Sequence, residues 1–61
     1  MVIGDLVRFK YHYEITNRVH IRKGDLGLLK EKESNRYGIY HFRSSEIVYL
    51  KEHNLRILEE L

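Results

Sequence analysis

The 61-residue chain contains no cysteine, so side-chain packing and hydrogen bonds alone must hold its fold together. The absence of thiols excludes disulfide scaffolds, thiolate catalysis, iron-sulfur clusters and every cysteine-based zinc site. Apolar residue types make up 43% of the chain and charged types 33%, a balance typical of a globular domain rather than of a disordered segment. We therefore expect one folded domain over residues 1–61.

The spacing of the apolar residues favours β-strands. Val7 and Phe9 alternate with a charged residue, as in a strand that buries one face, and both are predicted to point inward. Leu29 is predicted to lie in the core of the next long strand. The remaining strands follow turn signals that recur about every ten residues. The main strands after the first are predicted at residues 26–32, 37–42, 47–50 and 55–57.

The tripeptide Gly-Asp-Leu occurs at residues 4–6 and again at residues 24–26. Glycine and aspartate favour tight turns, so each copy is interpreted as a turn that leads into a strand. Gly27, just beyond the second copy, is predicted to let a neighbouring backbone approach closely.

A hairpin arm is predicted between the first two main strands. Apolar and polar residues alternate over residues 11–15 and 19–21, on either side of a polar turn near Asn17. Residues 8–23 carry five Lys or Arg against Glu14 alone, a local net charge of +4. Residues 31–61 have a net charge of −1, so the basic charge is concentrated in the arm.

The last third of the chain admits two interpretations. Residues 47–49 form a β-favouring run, which indicates a strand, a single turn at residues 52–54 and a last short strand. The alternative is a helix from Ser45 to Leu61, because four apolar residues fall on one helical stripe. These residues are Ile47, Leu50, Leu58 and Leu61.

Three segments carry a resemblance to a known class. Residues 10–14 (Lys-Tyr-His-Tyr-Glu) resemble the aromatic first-loop motif of the Src-homology-3-like barrels. Residues 19–25 resemble the approach to the second strand in that class, and residues 54–58 resemble its closing strand. The resemblance implies an all-β fold: a small five-stranded Src-homology-3-like barrel with a hairpin arm after strand 1 and a single helical turn before the last strand.

The branches of this class have different partners. Its eukaryotic signalling branch binds proline-rich peptides in a groove that includes a tryptophan and a proline, and this sequence contains neither residue type. Other branches contact RNA or ribosomal partners, or dock onto photosynthetic or redox complexes as accessory subunits. Compact bacterial and phage proteins without an assigned role also resemble the class. The resemblance therefore specifies architecture rather than activity.

The sequence predicts neither an enzyme nor a metal or cofactor site. His12 and His20 are expected to face each other across the arm with Glu14 nearby, yet their spacing matches no recognised ligand motif. His41 and His53 are further apart and are interpreted as polar-face residues. The serine and threonine hydroxyls lie in turn-like contexts that favour local hydrogen bonds over nucleophilic catalysis. These residues are Thr16, Ser34, Ser44 and Ser45.

The strongest positive signal is the mixture of tyrosines and cations in the arm, which is typical of a binding surface. The predicted binding residues are Arg8, Lys10, Tyr11, His12, Tyr13, Arg22 and Lys23. We expect a non-catalytic docking or adaptor module that binds a protein partner through this basic, tyrosine-bearing loop. The alternative is a module that binds RNA or single-stranded DNA, which the small net charge of +2 favours less.

A second surface is predicted on the outer face of the sheet. Ile39, Ile47 and Tyr49 are expected to be exposed together and to support a homodimer. The residues expected to point inward on the same two strands are Tyr40, Phe42, Val48 and Leu50.

No membrane partner is expected, because no apolar run approaches the roughly 20 residues that span a bilayer. The first residues do not resemble a basic, apolar leader, so we expect an unprocessed cytoplasmic protein.

Overall fold

The computed structural model describes residues 1–61 as seven short strands and one 3₁₀ helix. The strands are β1 (Leu6–Phe9), β2 (Tyr13–Glu14), β3 (His20–Ile21), β4 (Leu26–Lys32), β5 (Arg36–His41), β6 (Glu46–Lys51) and β7 (Leu58–Glu60). The 3₁₀ helix covers Glu52–Ile57. Five strands form an antiparallel sheet in the order β6-β5-β4-β1-β7, and β2 pairs with β3 in a separate hairpin. The all-β prediction is confirmed, while neither sheet closes on itself.

The predicted facing of the first main strands is confirmed. Val7, Phe9 and Leu29 are buried, because alternate residues of β1 and β4 point to the same side of the sheet. Their side chains belong to a single hydrophobic core of ten residues. The core residues are Val7, Phe9, Val19, Ile21, Leu29, Tyr37, Ile39, Val48, Leu50 and Leu58.

Gly27 permits the close approach that the sequence predicts. A Cβ atom added at Gly27 would lie 2.7 Å from Cγ2 of Ile39 and 2.9 Å from the carbonyl oxygen of Tyr40. Both contacts are shorter than van der Waals distance, so β4 and β5 pack together here only with glycine.

The facing of β5 differs from the prediction. Ile39 pairs with Val48 and is fully buried, whereas Tyr40 pairs with Ile47 on the outer face. Phe42, just beyond β5, is 44% exposed. Ile39 is therefore a core residue and not part of an exposed interface. Tyr40 and Phe42, which the sequence predicts to point inward, do not belong to the core, whereas Val48 and Leu50 do.

The physical reason for this facing lies in the inward residues of β5. Tyr37 and Ile39 fill the core, and His41, two positions further, is fully buried and hydrogen-bonded at both ring nitrogens. Because the imidazole is satisfied by hydrogen bonds, its burial does not carry the usual cost of a buried polar group.

The helix from Ser45 to Leu61 does not form. The chain instead runs through β6, the 3₁₀ helix and β7, and Leu58 pairs with Phe9 of β1. The last strand lies at Leu58–Glu60 rather than at residues 55–57. All six residues of the 3₁₀ helix connect β6 at one edge of the sheet to β7 at the other.

The hairpin arm forms with its tip where the sequence places it. Tyr13 pairs with Ile21, and the N–H of Ile15 donates to the carbonyl of Val19 at 3.1 Å. The Thr16 hydroxyl accepts hydrogen bonds from two backbone N–H groups of the turn, those of residues 18 and 19. Val19 and Ile21 are buried, so the returning half of the arm is anchored in the core.

Candidate docking surface

The arm is attached to the sheet through the carboxylate of Asp25, which follows Gly24 in the turn before β4. Oδ2 of Asp25 accepts hydrogen bonds from the backbone N–H of Arg22 at 2.9 Å and from Nε2 of His41 at 2.7 Å. The guanidinium of Arg43 donates to the same oxygen through Nε at 3.1 Å and Nη2 at 2.9 Å. One carboxylate therefore joins the end of the arm to β5 and to the turn after it.

Two further hydrogen bonds extend this connection. Nη2 of Arg43 also donates to the carbonyl of His20 in β3, so the β5–β6 turn contacts the arm directly. Nδ1 of His41 is hydrogen-bonded to the hydroxyl of Ser44 at 2.6 Å. We call Asp25, His41, Arg43 and Ser44 the Asp25 hub.

The hub determines the ionisation of Asp25. Burial acts to raise the pKa of its carboxyl. The hydrogen bonds from Arg43, the Arg22 backbone and His41, together with the positive charge of Arg43, outweigh burial and hold the pKa well below its ordinary value. Asp25 is therefore ionised at neutral pH and binds Arg43 as a carboxylate.

The hub was not predicted from the sequence, although one signal pointed to it. A histidine in phase with the buried residues of a strand needs a hydrogen-bond partner. The partner of His41 is Asp25, 16 positions earlier in the chain, which only the pairing of Gly27 with His41 brings close.

A shallow groove lies at the base of the arm. It is lined by Lys10 and Tyr11 where the chain leaves β1, and by Arg56 and Ile57 at the end of the 3₁₀ helix. The N–H of Lys10 donates to the carbonyl of Ile57 at 2.8 Å and fixes the two segments side by side. Tyr11 is 59% exposed. We call these four residues the arm-base groove.

The turn that contains Lys23 lies near this groove. The N–H of Gly24, the next residue, donates to the carbonyl of Phe9 at 2.8 Å, which places this turn beside the start of the groove. Lys10, Lys23 and Arg56 take part in none of the six ion pairs of the protein. Their charges are therefore available to a ligand.

The other predicted binding residues do not line the groove. Arg8 lies on the outer face of the sheet in an ion pair with Glu59 at 3.2 Å. Tyr13 is half-buried and packs against the core. His12 and Arg22 are exposed on the arm and on the turn before β4. Arg56 lines the groove but was not predicted, because its position depends on the 3₁₀ helix.

The outer face of the sheet retains part of the second predicted surface. Ile47 is 37% exposed and Tyr49 is 47% exposed. Tyr49 is already engaged, since the Arg36 guanidinium lies 4.7 Å from its ring centroid and its hydroxyl donates to Glu31 at 3.3 Å. The cross-strand register places Ile47 in one row with Tyr40, Leu28 and Leu6.

The histidines of the arm do not face each other as expected. His20 pairs with Glu14, and its Nδ1 lies 3.1 Å from Oε1 of that residue. No three His, Cys, Asp or Glu side chains converge in a way that would hold a metal ion. None of the helical structure is long and apolar enough to cross a membrane.

No protein-family model, no curated protein and no solved structure matches the chain. The function is therefore inferred from the geometry and charge of the arm-base groove.

Proposed function

We propose that the protein is a non-catalytic docking module that binds an acidic segment of a partner protein in the arm-base groove. The observation that carries this proposal is the exposed ring of Tyr11, which lies in one groove with Lys10 and Arg56, two cations without an acidic partner. Tyrosine and arginine are enriched in binding hot spots, because they combine apolar area with hydrogen-bonding groups. The positive charge selects an acidic ligand and accelerates its association.

The strand order supports the finer form of the fold proposal, a small five-stranded Src-homology-3-like barrel. The sheet order β6-β5-β4-β1-β7 places the last strand beside the first, with the arm after β1 and the 3₁₀ helix before β7. These two irregular elements meet at the arm-base groove. In this proposal the sheet is a scaffold, and the ligand contacts come from the segments that connect its strands.

The non-catalytic assignment is supported by the burial of His41. Asp25, His41 and Ser44 form a hydrogen-bonded series whose residue types match those of a hydrolase triad. A general base must reach a substrate, however, and the imidazole of His41 is fully buried with both nitrogens engaged. These contacts instead serve to hold the arm on the sheet.

A single-stranded nucleic acid is the second candidate ligand. The ring of Tyr11 would stack on a base while Lys10, Lys23 and Arg56 neutralise phosphates, which is how small barrels bind single strands without sequence preference. The modest net charge of +2 favours the acidic protein segment.

Fluorescence anisotropy with two labelled probes separates the candidates. One probe is a short peptide of alternating glutamate and tyrosine, and the other is a short oligouridylate. We expect the wild-type protein to bind the peptide and Tyr11→Ala to weaken that binding by about tenfold. Tyr49→Ala is the matched control, since it removes a comparably exposed tyrosine on the outer face and should change the affinity by less than about twofold.

Two results would contradict the proposal. Equal effects of Tyr11→Ala and Tyr49→Ala would remove the groove from the binding site. Binding of oligouridylate but not of the peptide would identify the ligand as nucleic acid. In that case the affinity should fall steeply with salt, and Arg56→Ala should reduce the salt slope by about one unit.

A further inference from the structure

The strand β6 has one edge with no partner strand. It lies at the end of the sheet and pairs only with β5. The N–H of Glu52 donates to the carbonyl of Asn35, immediately beyond the pair Arg36 and Lys51. In an antiparallel ladder this bond fixes which residues direct their backbone N–H and C=O groups toward β5 and which direct them away from it.

The alternation places the backbone groups of Ile47, Tyr49 and Lys51 on the free side of β6. Ile47 and Tyr49 appear in no hydrogen bond between the sheet and a loop. Their N–H and C=O groups therefore form an open hydrogen-bonding edge of the kind that a further strand can pair with.

The arm forms a wall beside this edge. A groove runs between β6 and the tip of the arm, lined on the arm side by Ile15 and Val19 and on the strand side by Ile47 and Val48. Arg18 on the arm and Glu46 on the strand also line the groove, and neither takes part in an ion pair. Open backbone groups, apolar walls and one unpaired charge of each sign thus occur at one place.

We propose that the free edge of β6 binds an extended segment of a partner protein. The segment lies beside β6 and becomes the sixth strand of the five-stranded sheet. Main-chain hydrogen bonds to Ile47 and Tyr49 supply affinity, and alternate side chains supply specificity. One apolar side chain of the segment enters the groove between the arm and β6, and an acidic side chain pairs with Arg18. This site is separate from the arm-base groove.

An extended segment fits this edge better than a second copy of the chain. The tip of the arm borders the Glu46–Val48 part of β6 across the groove. A second copy would bring its own arm and its own sheet to the same place. The unpaired charge of Arg18 further selects a segment with an acidic residue. In a symmetric antiparallel pair of two β6 strands that uses the outward groups of residues 47, 49 and 51, Lys51 of the second copy would instead lie opposite Ile47, at the end of the strand near Arg18.

The first test uses the wild-type protein and chemically modified peptides. The probes are short peptides of alternating valine and threonine with a single glutamate placed at each position in turn. For the peptide that binds best, N-methylation of alternate amides gives two versions that differ only in which edge of the strand is blocked. Strand addition predicts that one version loses binding by at least about tenfold and the other keeps it.

The second test removes a single donor from the protein. Tyr49→Pro deletes the outward N–H without removing a hydrogen bond to β5, a substitution that edge strands tolerate. Tyr49→Thr keeps the N–H and is the matched control. We expect Tyr49→Pro to weaken peptide binding by about tenfold and Tyr49→Thr to change it by less than about twofold. Tyr11→Ala should leave this binding unchanged, which separates the edge from the arm-base groove.

Three outcomes would overturn the proposal. The first is binding by none of the peptides at millimolar concentration, and the second is equal loss of binding from both N-methylated versions. The third is a dimer in light scattering that Tyr49→Pro converts to a monomer, because the occupant of the edge would then be a second copy. The N-methylated peptides keep the proposal testable even if Tyr49→Pro fails to fold.

Discussion

The turns at residues 4–6 and 24–26 have the same sequence and the same local structure. The glycine has a φ of +99° in the first turn and +93° in the second, a conformation that favours glycine. The aspartate carboxylate accepts the backbone N–H three residues earlier, at 2.8 Å in the first turn and 2.9 Å in the second. Each glycine N–H donates at 2.8 Å to a carbonyl of a neighbouring main strand. The tripeptide therefore specifies its own turn.

The two aspartates differ in the contacts that their side chains make beyond the turn. The carboxylate of Asp5 has no side-chain partner, whereas that of Asp25 also binds His41 and Arg43. Through Arg43 the second turn is joined to the arm. Sequence-local chemistry thus makes the turn in both places, and tertiary side-chain contacts make only one of them the anchor of the arm.

The largest expected effect comes from removing the carboxylate of the second turn. Asp25→Ala leaves Nε2 of the buried His41 without its hydrogen-bond partner and leaves the Arg43 guanidinium with only the carbonyl of His20. We expect a loss of about 3 kcal/mol in the free energy of unfolding. Asp5→Ala removes one exposed hydrogen bond and should cost about 1 kcal/mol. Urea denaturation of both variants checks the difference. Equal losses would show that the hub adds no stability to the turn.

The next prediction concerns the stability of the folded protein at low pH. The pKa of Asp25 is lowered in the folded protein, so the carboxylate contributes stability above the ordinary Asp pKa of about 3.9. That contribution is lost as the pH falls below this value and toward the lower pKa of the folded state. Urea denaturation between about pH 5 and pH 2 should show a decline in stability that begins at about pH 4 and that Asp25→Asn flattens. An unchanged decline in Asp25→Asn would assign the acid sensitivity to other groups.

The smallest difference in stability between the two turns is expected when their glycines are replaced. An added Cβ meets nothing within 4 Å at either Gly4 or Gly24, so alanine at each position carries only the strain of a positive φ. We expect each substitution to cost about 1 kcal/mol, with little difference between them. Thermal unfolding of Gly4→Ala and Gly24→Ala provides the measurement. A much larger cost at Gly24 would mean that the local structures of the turns are not equivalent.

The division between sequence-local and tertiary contacts also explains how much of the fold could be predicted from the sequence. Alternation placed Val7, Phe9 and Leu29 in the core, and the turn chemistry placed the start of β4 at Leu26, because these signals are local. The facing of β5 depends on His41, whose burial is possible only with distant hydrogen-bond partners. No local pattern contains that information.

The prediction of the candidate site from local sequence patterns has the same limit. Lys10 and Tyr11 were predicted from the tyrosines and cations of their own segment, and both line the arm-base groove. Arg56 was missed, since residues 55–57 were interpreted as a strand and form the end of a 3₁₀ helix instead. Arg8 was included by proximity in sequence, yet strand alternation places it on the outer face, beside Glu59.

Amide hydrogen exchange measures most directly whether the Asp25 hub holds the arm in place. The probe is the N–H of Ile15, which bonds across the arm to Val19, and the reference amides are those of the β5–β6 pair Ile39 and Val48. We predict that Asp25→Asn accelerates exchange at Ile15 by at least about tenfold relative to the reference, while Asp5→Asn does not. An unchanged exchange rate at Ile15 in Asp25→Asn, or an equal acceleration in both variants, would contradict the account.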